Sequence, residues 1–466
     1  MKTVIHWFRR DLRLADNTAL SEAAKRAQTV VPVFILEDAS RTGPDVSAAR
    51  LAFMLQSVAA LRQDLATRGH PLVIRCGEAD KILPGLCRKV GAQAVFGNRQ
   101  YEPQAQRRDE SVAAGLLQIG VGFELFKDAV AWDEQEILTQ AGRPYTVFTP
   151  YAKAWKARAV ARPGPIFDRP KSKAPALPSD PLPAAPDALG HPLTQPVPPA
   201  GEAAAREQLA RFLAGPVHAY AANRDFPALA ATSHLSPHLH AGTLGIRTVL
   251  AALMKARGKA PPGQAAGCDV FLNELIWREF YVQVLCNFPH VATSAFRPEL
   301  NRLPWSENQE HFQAWCAGRT GYPIVDAAMR CLQATGSLHN RLRMITAMFL
   351  TKDLLLSWQW GERWFMRQLV DGDLAANNGG WQWSAGTGTD AAPYFRIFNP
   401  VTQGQKFDPA GAFVRRWVPE LENFPDKLVH QPWENPSELA RSKYPARVVR
   451  HEVQREKCLA LFRSVK

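Results

Sequence analysis

Between Arg162 and Ala200 the chain carries twelve prolines, in RPGPIFDRPKSKAPALPSDPLPAAPDALGHPLTQPVPPA. Proline fixes φ and lacks an N–H, so neither a long helix nor a central strand can run through this stretch. It reads as an extended linker laid over folded parts, or as a plain flexible spacer. At 466 residues the chain also exceeds what one core serves. The prolines therefore separate two folded parts of different character.

Before them, short apolar runs at Val4–Phe8, Thr29–Leu36, Pro71–Cys76, Ala92–Gly97 and Gly122–Phe126 alternate with amphipathic stretches. Two of these stretches, Ala49–Arg68 and Gln104–Gln118, have helical spacing. Buried strands alternating with helices predict an α/β domain built on a doubly wound parallel sheet. No GxGxxG follows the first strand, so the dinucleotide fingerprint is absent. After Glu202 the strand pattern stops, and helical periodicity with short Gly/Pro breaks continues to about Pro419. The expected division is an α/β domain over 1–130, a proline-rich linker over 131–200 and an all-α domain over 201–466.

Charge and cysteine content narrow the setting. Lys and Arg exceed Asp and Glu by 56 to 43, a net charge of +13. Such a surface favours polyanions, because phosphate contacts release condensed counterions. The seven cysteines form no CxxC pair and are odd in number, which suits reduced thiols in a cytoplasmic protein with no metal site. The opening MKTVIHWFRRDLRL places Arg9 and Arg10 where a signal peptide needs its apolar core. The apolar run from Met344 to Trp358 is interrupted by Lys352 and Asp353, so no membrane span is expected. Without HExxH, GxSxG or a P-loop, zinc, serine-hydrolase and kinase chemistry lose ground.

Four stretches concentrate groups that could do chemistry. The densest is DGDLAANNGGWQWSAGTGTDAAPYFRIFNP, Asp371 to Pro400. It reads as a polar loop with two core tryptophans, or as a planar-ligand site. In the second reading, Asn377–Asn378–Gly379–Gly380 offers backbone amides and close approach. Trp381 and Trp383, two residues apart, point in different directions. In FLNELIWREFY, Phe271 to Tyr281, helical spacing puts Glu274, Trp277 and Arg278 on one face. That trio suits a stacked base and a phosphate, or equally an amphipathic surface. In HNRLRMITAMFLTKDLL, Arg341 and Arg343 cannot both share the face buried by Ile345 and Phe349. One arginine can reach phosphate or base while the other pairs inward, for instance with Asp371 or Asp373. The fourth stretch, YAANRDFPALAATSHLS, supplies Thr232, Ser233 and Ser236 for phosphate at a helix start.

Taken in order, these strings, together with HWFRRDLRLADNTAL, TGYPIVDAAMR, HNRLRM and FRIFNP, resemble the photolyase/cryptochrome family along almost the whole chain. The resemblance is nearest to bacterial class I cyclobutane pyrimidine dimer photolyases and weakens only across the prolines. It implies an N-terminal antenna domain, a helical FAD-binding domain and repair of pyrimidine dimers in DNA by a monomeric enzyme without a membrane.

The same resemblance assigns residues. FAD falls to Tyr220, Thr232, Ser233, His234, Leu235, Ser236, Phe271, Arg278, Arg343, Asp371, Gly372, Asp373 and Asn377, the last where the family contacts flavin N5 and holds the flavin reduced. The lesion pocket maps to Arg224, Glu274, Trp277, Asn340, Arg341, Met344 and Trp383, with Gln403 near the DNA. An extruded dimer, cheap to flip because it stacks poorly, would lie between Trp277 and Trp383. Glu274, with Asn377 the implied catalytic pair, would hydrogen-bond a base edge and stabilise charge developing there. Excited reduced FAD would lend the electron that opens the cyclobutane ring. Trp381, Trp358 and Trp305 match the family's electron-transfer triad; from the residues alone, Trp358 and Trp305 read as packing.

Departures from the family pattern also inform. Phe271 and Ser337 stand where tryptophan is frequent. Ala105 and Thr293 replace folate-type antenna residues, so a folate antenna is disfavoured while a deazaflavin, a second flavin or an empty site stay open. The alternatives are a (6-4) photolyase, which uses a histidine where this chain has Asn340, and a cryptochrome-like receptor. A receptor often carries a long C-terminal extension and another residue at the Asn377 position, whereas this sequence stops at Lys466. Nothing specific supports a light-independent DNA-binding flavoprotein.

Overall fold

The computed structural model describes residues 1–38, 42–43, 45–158, 160, 162–164, 175, 177–260 and 263–465. Part of the expected linker, 159, 161, 165–174 and 176, lies outside the described residues. By packing the chain forms two compact units. The first comprises Met1–Leu193, Val197–Ala221 and Thr232–Pro289; the second comprises Thr194–Pro196, Ala222–Ala231 and His290–Lys466.

The first unit is built on the expected sheet. Strands β1 (Thr3–Phe8), β2 (Thr29–Leu36), β3 (Val73–Cys76), β4 (Ala94–Asn98) and β5 (Gly122–Phe126) lie in the order β3-β2-β1-β4-β5. All neighbours are parallel. Side chains alternate across each strand, so Val4 and Phe8 face one core while Ile5 and Trp7 face another. Helices α1 (Thr18–Arg26) and α2 (Ala48–Thr67) cover the first face; α3 (Ala79–Val90) and α4 (Pro103–Leu117) cover the second. Along the open edge of β3, Asp180 N donates to Ile74 O at 3.0 Å, and the Asp180 carboxylate accepts Cys76 N at 2.9 Å. The described part of the proline segment thus blunts an exposed edge.

Composition placed a boundary near residue 200, but packing joins further helices to the sheet's unit. These are α5 (Phe148–Lys156), α6 (Glu202–Ala214), α7 (Pro216–Asn223, whose last two residues belong to the second unit), α8 (Ser236–Ala241), α9 (Ile246–Gly258) and α10 (Ala265–Asn287). The cause is a set of buried ion pairs that linear composition does not display. Arg247 reaches Asp16 at 2.7 Å and Asp128 at 2.9 Å, while Arg13 holds Asp128 at 2.6 Å and Gly242 O at 2.9 Å. Gly242, at φ +70°, lies so close to Arg10 O that any Cβ would overlap it. The RRDLRLAD string is therefore an architectural fastener at the end of β1.

The second unit is helical: α11 (Gln309–Cys316), α12 (Pro323–Thr335), α13 (Asn340–Met348), α14 (Trp358–Gln368), α15 (Leu374–Ala385), α16 (Pro400–Phe407), α17 (Ala412–Trp417), α18 (Pro436–Ser442) and α19 (His451–Arg463). Its core gathers Trp315, Tyr322, Met329, Leu342, Phe349, Phe365 and Trp381. A π-helical turn, Phe349–Asp353, buries Lys352 and Asp353. Lys352 Nζ donates to Ala385 O at 2.7 Å, and Asp353 pairs with His451 at 2.6 Å. Among the described residues no helix is long and apolar enough to cross a membrane.

Candidate functional site

In the first unit, the candidates converge on α10. Phe271 is buried, and Tyr220 of α7 meets its ring edge-on at 5.5 Å. Phe212 completes an aromatic trio, 4.7 Å from Phe271 and 5.7 Å from Tyr220. Glu274, Trp277 and Arg278 follow on the same helix, all half-buried. Trp277 lies face to face on Phe148 of α5, with centroids 3.7 Å apart and planes 5° apart, so one indole face is already covered. Arg278 Nη1 donates to Ala129 O at 2.7 Å. The next residue, Glu279, is fully buried and accepts Ala131 N at 2.5 Å and Trp155 Nε1 at 2.7 Å. Burial pushes its carboxyl up, against these donors. Glu279 thereby anchors the 131–155 segment against the helix that presents Glu274 and Trp277.

The Thr232–Ser236 string is an irregular turn leading into α8, which starts at Ser236. His234 has φ +51°, Gln208 Nε2 donates to Ser233 O at 2.8 Å, and Leu235 is buried. Ser236 is exposed at the first turn, and Thr232 and Ser233 are half-buried beside it.

In the second unit the Asp371–Pro400 string folds differently from one expectation. Asn377 to Gly380 lie inside α15; Asn377 N, for example, donates to Asp373 O at 2.8 Å. Backbone amides within a helix are committed to it, so side chains, not amides, are what this stretch can offer a ligand. Asp373 caps the helix by accepting Ala376 N at 3.0 Å. Asp371, just ahead of buried Gly372, pairs with Arg343 at 2.9 Å, while Arg343 Nε donates to Leu338 O at 2.8 Å. Arg343 is thus the inward-pairing arginine, with Asp371 as its partner.

The two asparagines of α15 have different partners. Asn378 joins a buried network: its Nδ2 donates to Glu362 Oε1 at 2.8 Å and Val291 O at 2.9 Å. Gln382 Nε2 donates to Asn378 Oδ1 at 3.1 Å and Val291 O at 3.0 Å. Asn377 is also buried, but its Nδ2 donates to the Glu362 backbone O at 3.0 Å, leaving Oδ1 as its acceptor. Four residues on, and so on the same face, Trp381 is 2% exposed and its Nε1–H has no partner. Open space adjoins this helix at Gly380, where an added Cβ would meet no atom within 4 Å. A fixed amide oxygen and an orphaned indole N–H fit a planar heteroaromatic ligand that both donates and accepts, as an isoalloxazine does.

Trp381 sits in an aromatic core, edge-on to Phe365 at 5.0 Å and to Trp315 at 6.0 Å. It packs over Gly361 of α14, where a Cβ would overlap its six-membered ring. Trp358 opens α14 and is 3% exposed; Trp305 is half-buried against the same core. Ser306 N donates to Leu355 O at 2.7 Å, and Ser306 bridges Leu356, so Trp305 is held beside the residues that lead into Trp358. Exposure therefore rises from Trp381 and Trp358 to Trp305.

Arg224, Arg341 and Gln403 also come together in this unit. Arg341, in the first turn of α13, pairs with Asp225 at 2.9 Å and lies 4.4 Å over the Phe407 ring. Gln403 stands one turn before Phe407 on α16, its Oε1 buried without a partner. Asn340 is exposed, and Met344 and Trp383 are half-buried. His339 caps α13 through Nδ1, which accepts Arg341 N at 3.2 Å. Asp225, Phe407, Glu362 and Phe148 were missed from sequence. Only Asp225, beside Arg224, had a local signal.

Two protein-family models match the chain. A model described as DNA photolyase matches residues 4–175, and one described as FAD binding domain of DNA photolyase matches residues 271–464. A Salmonella typhimurium protein named deoxyribodipyrimidine photo-lyase is 42% identical, covering 100% of this chain and 99% of its own length. A crystal structure of a bacterial class III photolyase from Agrobacterium tumefaciens is 37% identical with TM-score 0.91, covering 100% of this chain and 98% of that one. The sequence resemblance was nearest to class I enzymes, whereas this solved structure is that of a class III enzyme. An archaeal photolyase from Sulfolobus tokodaii with two FAD molecules is 31% identical with TM-score 0.84, covering 99% of this chain and all of that one. By family models over most of its length and by full-length relatives of about 40% identity, this chain belongs to the DNA photolyase family.

Proposed function

We propose that this protein uses blue or near-ultraviolet light to split cyclobutane pyrimidine dimers in DNA, with FAD as its cofactor. The observation that carries the reading is the inner face of α15. There Asn377 Oδ1 is oriented by the Glu362 carbonyl, and Trp381 presents a buried N–H with no partner. Reduced FAD held there would supply, on excitation, the electron that opens the cyclobutane ring.

The chain's own residues bind, orient and exclude water. Tyr220, Thr232, Ser233, His234, Leu235, Ser236, Phe271, Arg278, Arg343, Asp371, Gly372, Asp373 and Asn377 hold FAD, as the family resemblance implies. Asn377 fixes the edge of the ring system. Trp277 stacks a base on the face turned away from Phe148, Trp383 lies against the other base, and Glu274 orients a base edge. Arg224, Asn340, Arg341, Met344 and Gln403 complete the contact with the extruded dimer and its backbone. Asn340 in place of a histidine supports cyclobutane over (6-4) substrates. Trp305, Trp358 and Trp381 relay electrons inward to return oxidised cofactor to its active state.

The enzyme acts as a cytoplasmic monomer. Residues 1–130 form the antenna domain, 131–200 the linker and 201–466 the catalytic part. Any second chromophore is better a deazaflavin or a flavin than a folate. Ala105 offers only a buried methyl group, and Thr293 Oγ1 is turned to His290 O. Reduced holoprotein illuminated with oligonucleotides bearing either lesion tests the reading. The cyclobutane dimer is restored and the (6-4) product is not. Repair of the (6-4) product would overturn the specificity, and repair of neither would overturn the function.

A further inference from the structure

Asp225 occupies the turn after α7, closed by Phe226 N donating to Asn223 O and Leu229 N to Phe226 O, both at 3.1 Å. Its carboxylate sits between two arginines, 2.9 Å from Arg341 and 4.0 Å from Arg224. The neighbouring Phe226 leans on Phe407 at 6.4 Å, the same ring that carries the Arg341 guanidinium. The turn, the platform and the arginine therefore interlock, and the Arg341 Nε–H remains buried without a partner.

A half-exposed pair of this kind adds little to stability. What it does is fix the plane of a guanidinium fork whose value lies in its orientation. We propose that Asp225 is a positioning residue for DNA recognition. It stands in for a phosphate between Arg224 and Arg341, holding Arg341 for the backbone beside an extruded dimer and withholding it from undamaged duplex. A straight duplex must pull the guanidinium off both carboxylate and ring to use it. A backbone bent at an extruded lesion meets it where it lies. This rests on the reading of Arg341 as a DNA contact.

The test is dark equilibrium binding of the holoprotein to a dimer-containing oligonucleotide and to the same duplex undamaged, across salt concentrations. Asp225→Asn raises affinity for undamaged DNA about threefold and steepens its salt slope by about one. The same variant weakens dimer binding about threefold, so discrimination falls about tenfold; Asp225→Glu restores most of it. Phe407→Leu, which removes the platform, moves discrimination the same way. In an Arg341→Ala background Asp225→Asn changes neither affinity, because the effect passes through Arg341. A merely structural role would lower both affinities together. Unchanged discrimination, or an equal effect without Arg341, overturns the inference alone. Unchanged dimer affinity in Arg341→Ala itself overturns the reading beneath it.

Discussion

At the scale of single residues, burial divides side chains that hold the fold from side chains that can meet a ligand. Trp277 has one face spent on Phe148 at 3.7 Å, so at most one face can take a base. Trp277→Ala should weaken binding of dimer-containing DNA by about 1–3 kcal/mol, the usual worth of one base stacked on an aromatic. Unchanged affinity in a titration would remove Trp277 from the pocket. Trp381, buried against Phe365 and Trp315, has a separable role. Trp381→Phe should abolish light-driven reduction of oxidised FAD while enzyme reduced beforehand still repairs, followed by absorbance and by product. Loss of both would contradict the assignment. The Arg343–Asp371 pair was legible, because the sequence offers one arginine of that string an inward partner at Asp371 or Asp373. Asp225 and Phe407 were not, since their partner Arg341 is remote in sequence and only folding brings the three together.

At the scale of elements, α14 and α13 carry consequences that their composition hides. Gly361 interrupts α14, and a glycine there would ordinarily cost about 1 kcal/mol relative to alanine. Here the alanine Cβ would overlap the Trp381 ring, so Gly361→Ala should destabilise by about 1–3 kcal/mol in urea unfolding, the cost of overpacking. A gain in stability would show that the close approach is unnecessary. In α13, burial pushes the His339 imidazole down to about 4 from the ordinary 6.5. The folded state keeps it neutral where the unfolded chain takes up a proton. Its contribution to stability is full above about pH 6.5 and is lost as pH falls toward 4. His339→Asn retains a capping side chain and should flatten the stability–pH profile between those values; an unaltered slope would place the titration elsewhere. The five strands could be read within two residues because apolar runs and turn residues are local signals. The helical status of Asn377–Gly380 could not, since two adjacent glycines resemble a loop until the Asp373 cap and the Glu362–Asn378–Gln382 network override their low propensity.

At the scale of the molecule, composition and packing divide the chain by different criteria, the prolines near residue 200 and the compact units elsewhere. Buried ion pairs linking Asp16 and Asp128 to Arg247 join α6–α10 to the sheet, and no linear reading of charge identifies pairs so far apart in sequence. The net charge of +13 should make DNA binding fall steeply as salt rises, and a flat response would remove phosphate contacts from the account. The central claim is that light, through a flavin held against α15, drives repair of a cyclobutane dimer. Its most direct test is a single comparison: reduced, flavin-loaded protein mixed with dimer-containing oligonucleotide, one half kept dark and the other illuminated with near-ultraviolet or blue light. The account predicts intact pyrimidines in the illuminated half alone. Protein that retains no flavin on purification and reconstitution, or an illuminated half in which the dimers persist, would contradict it.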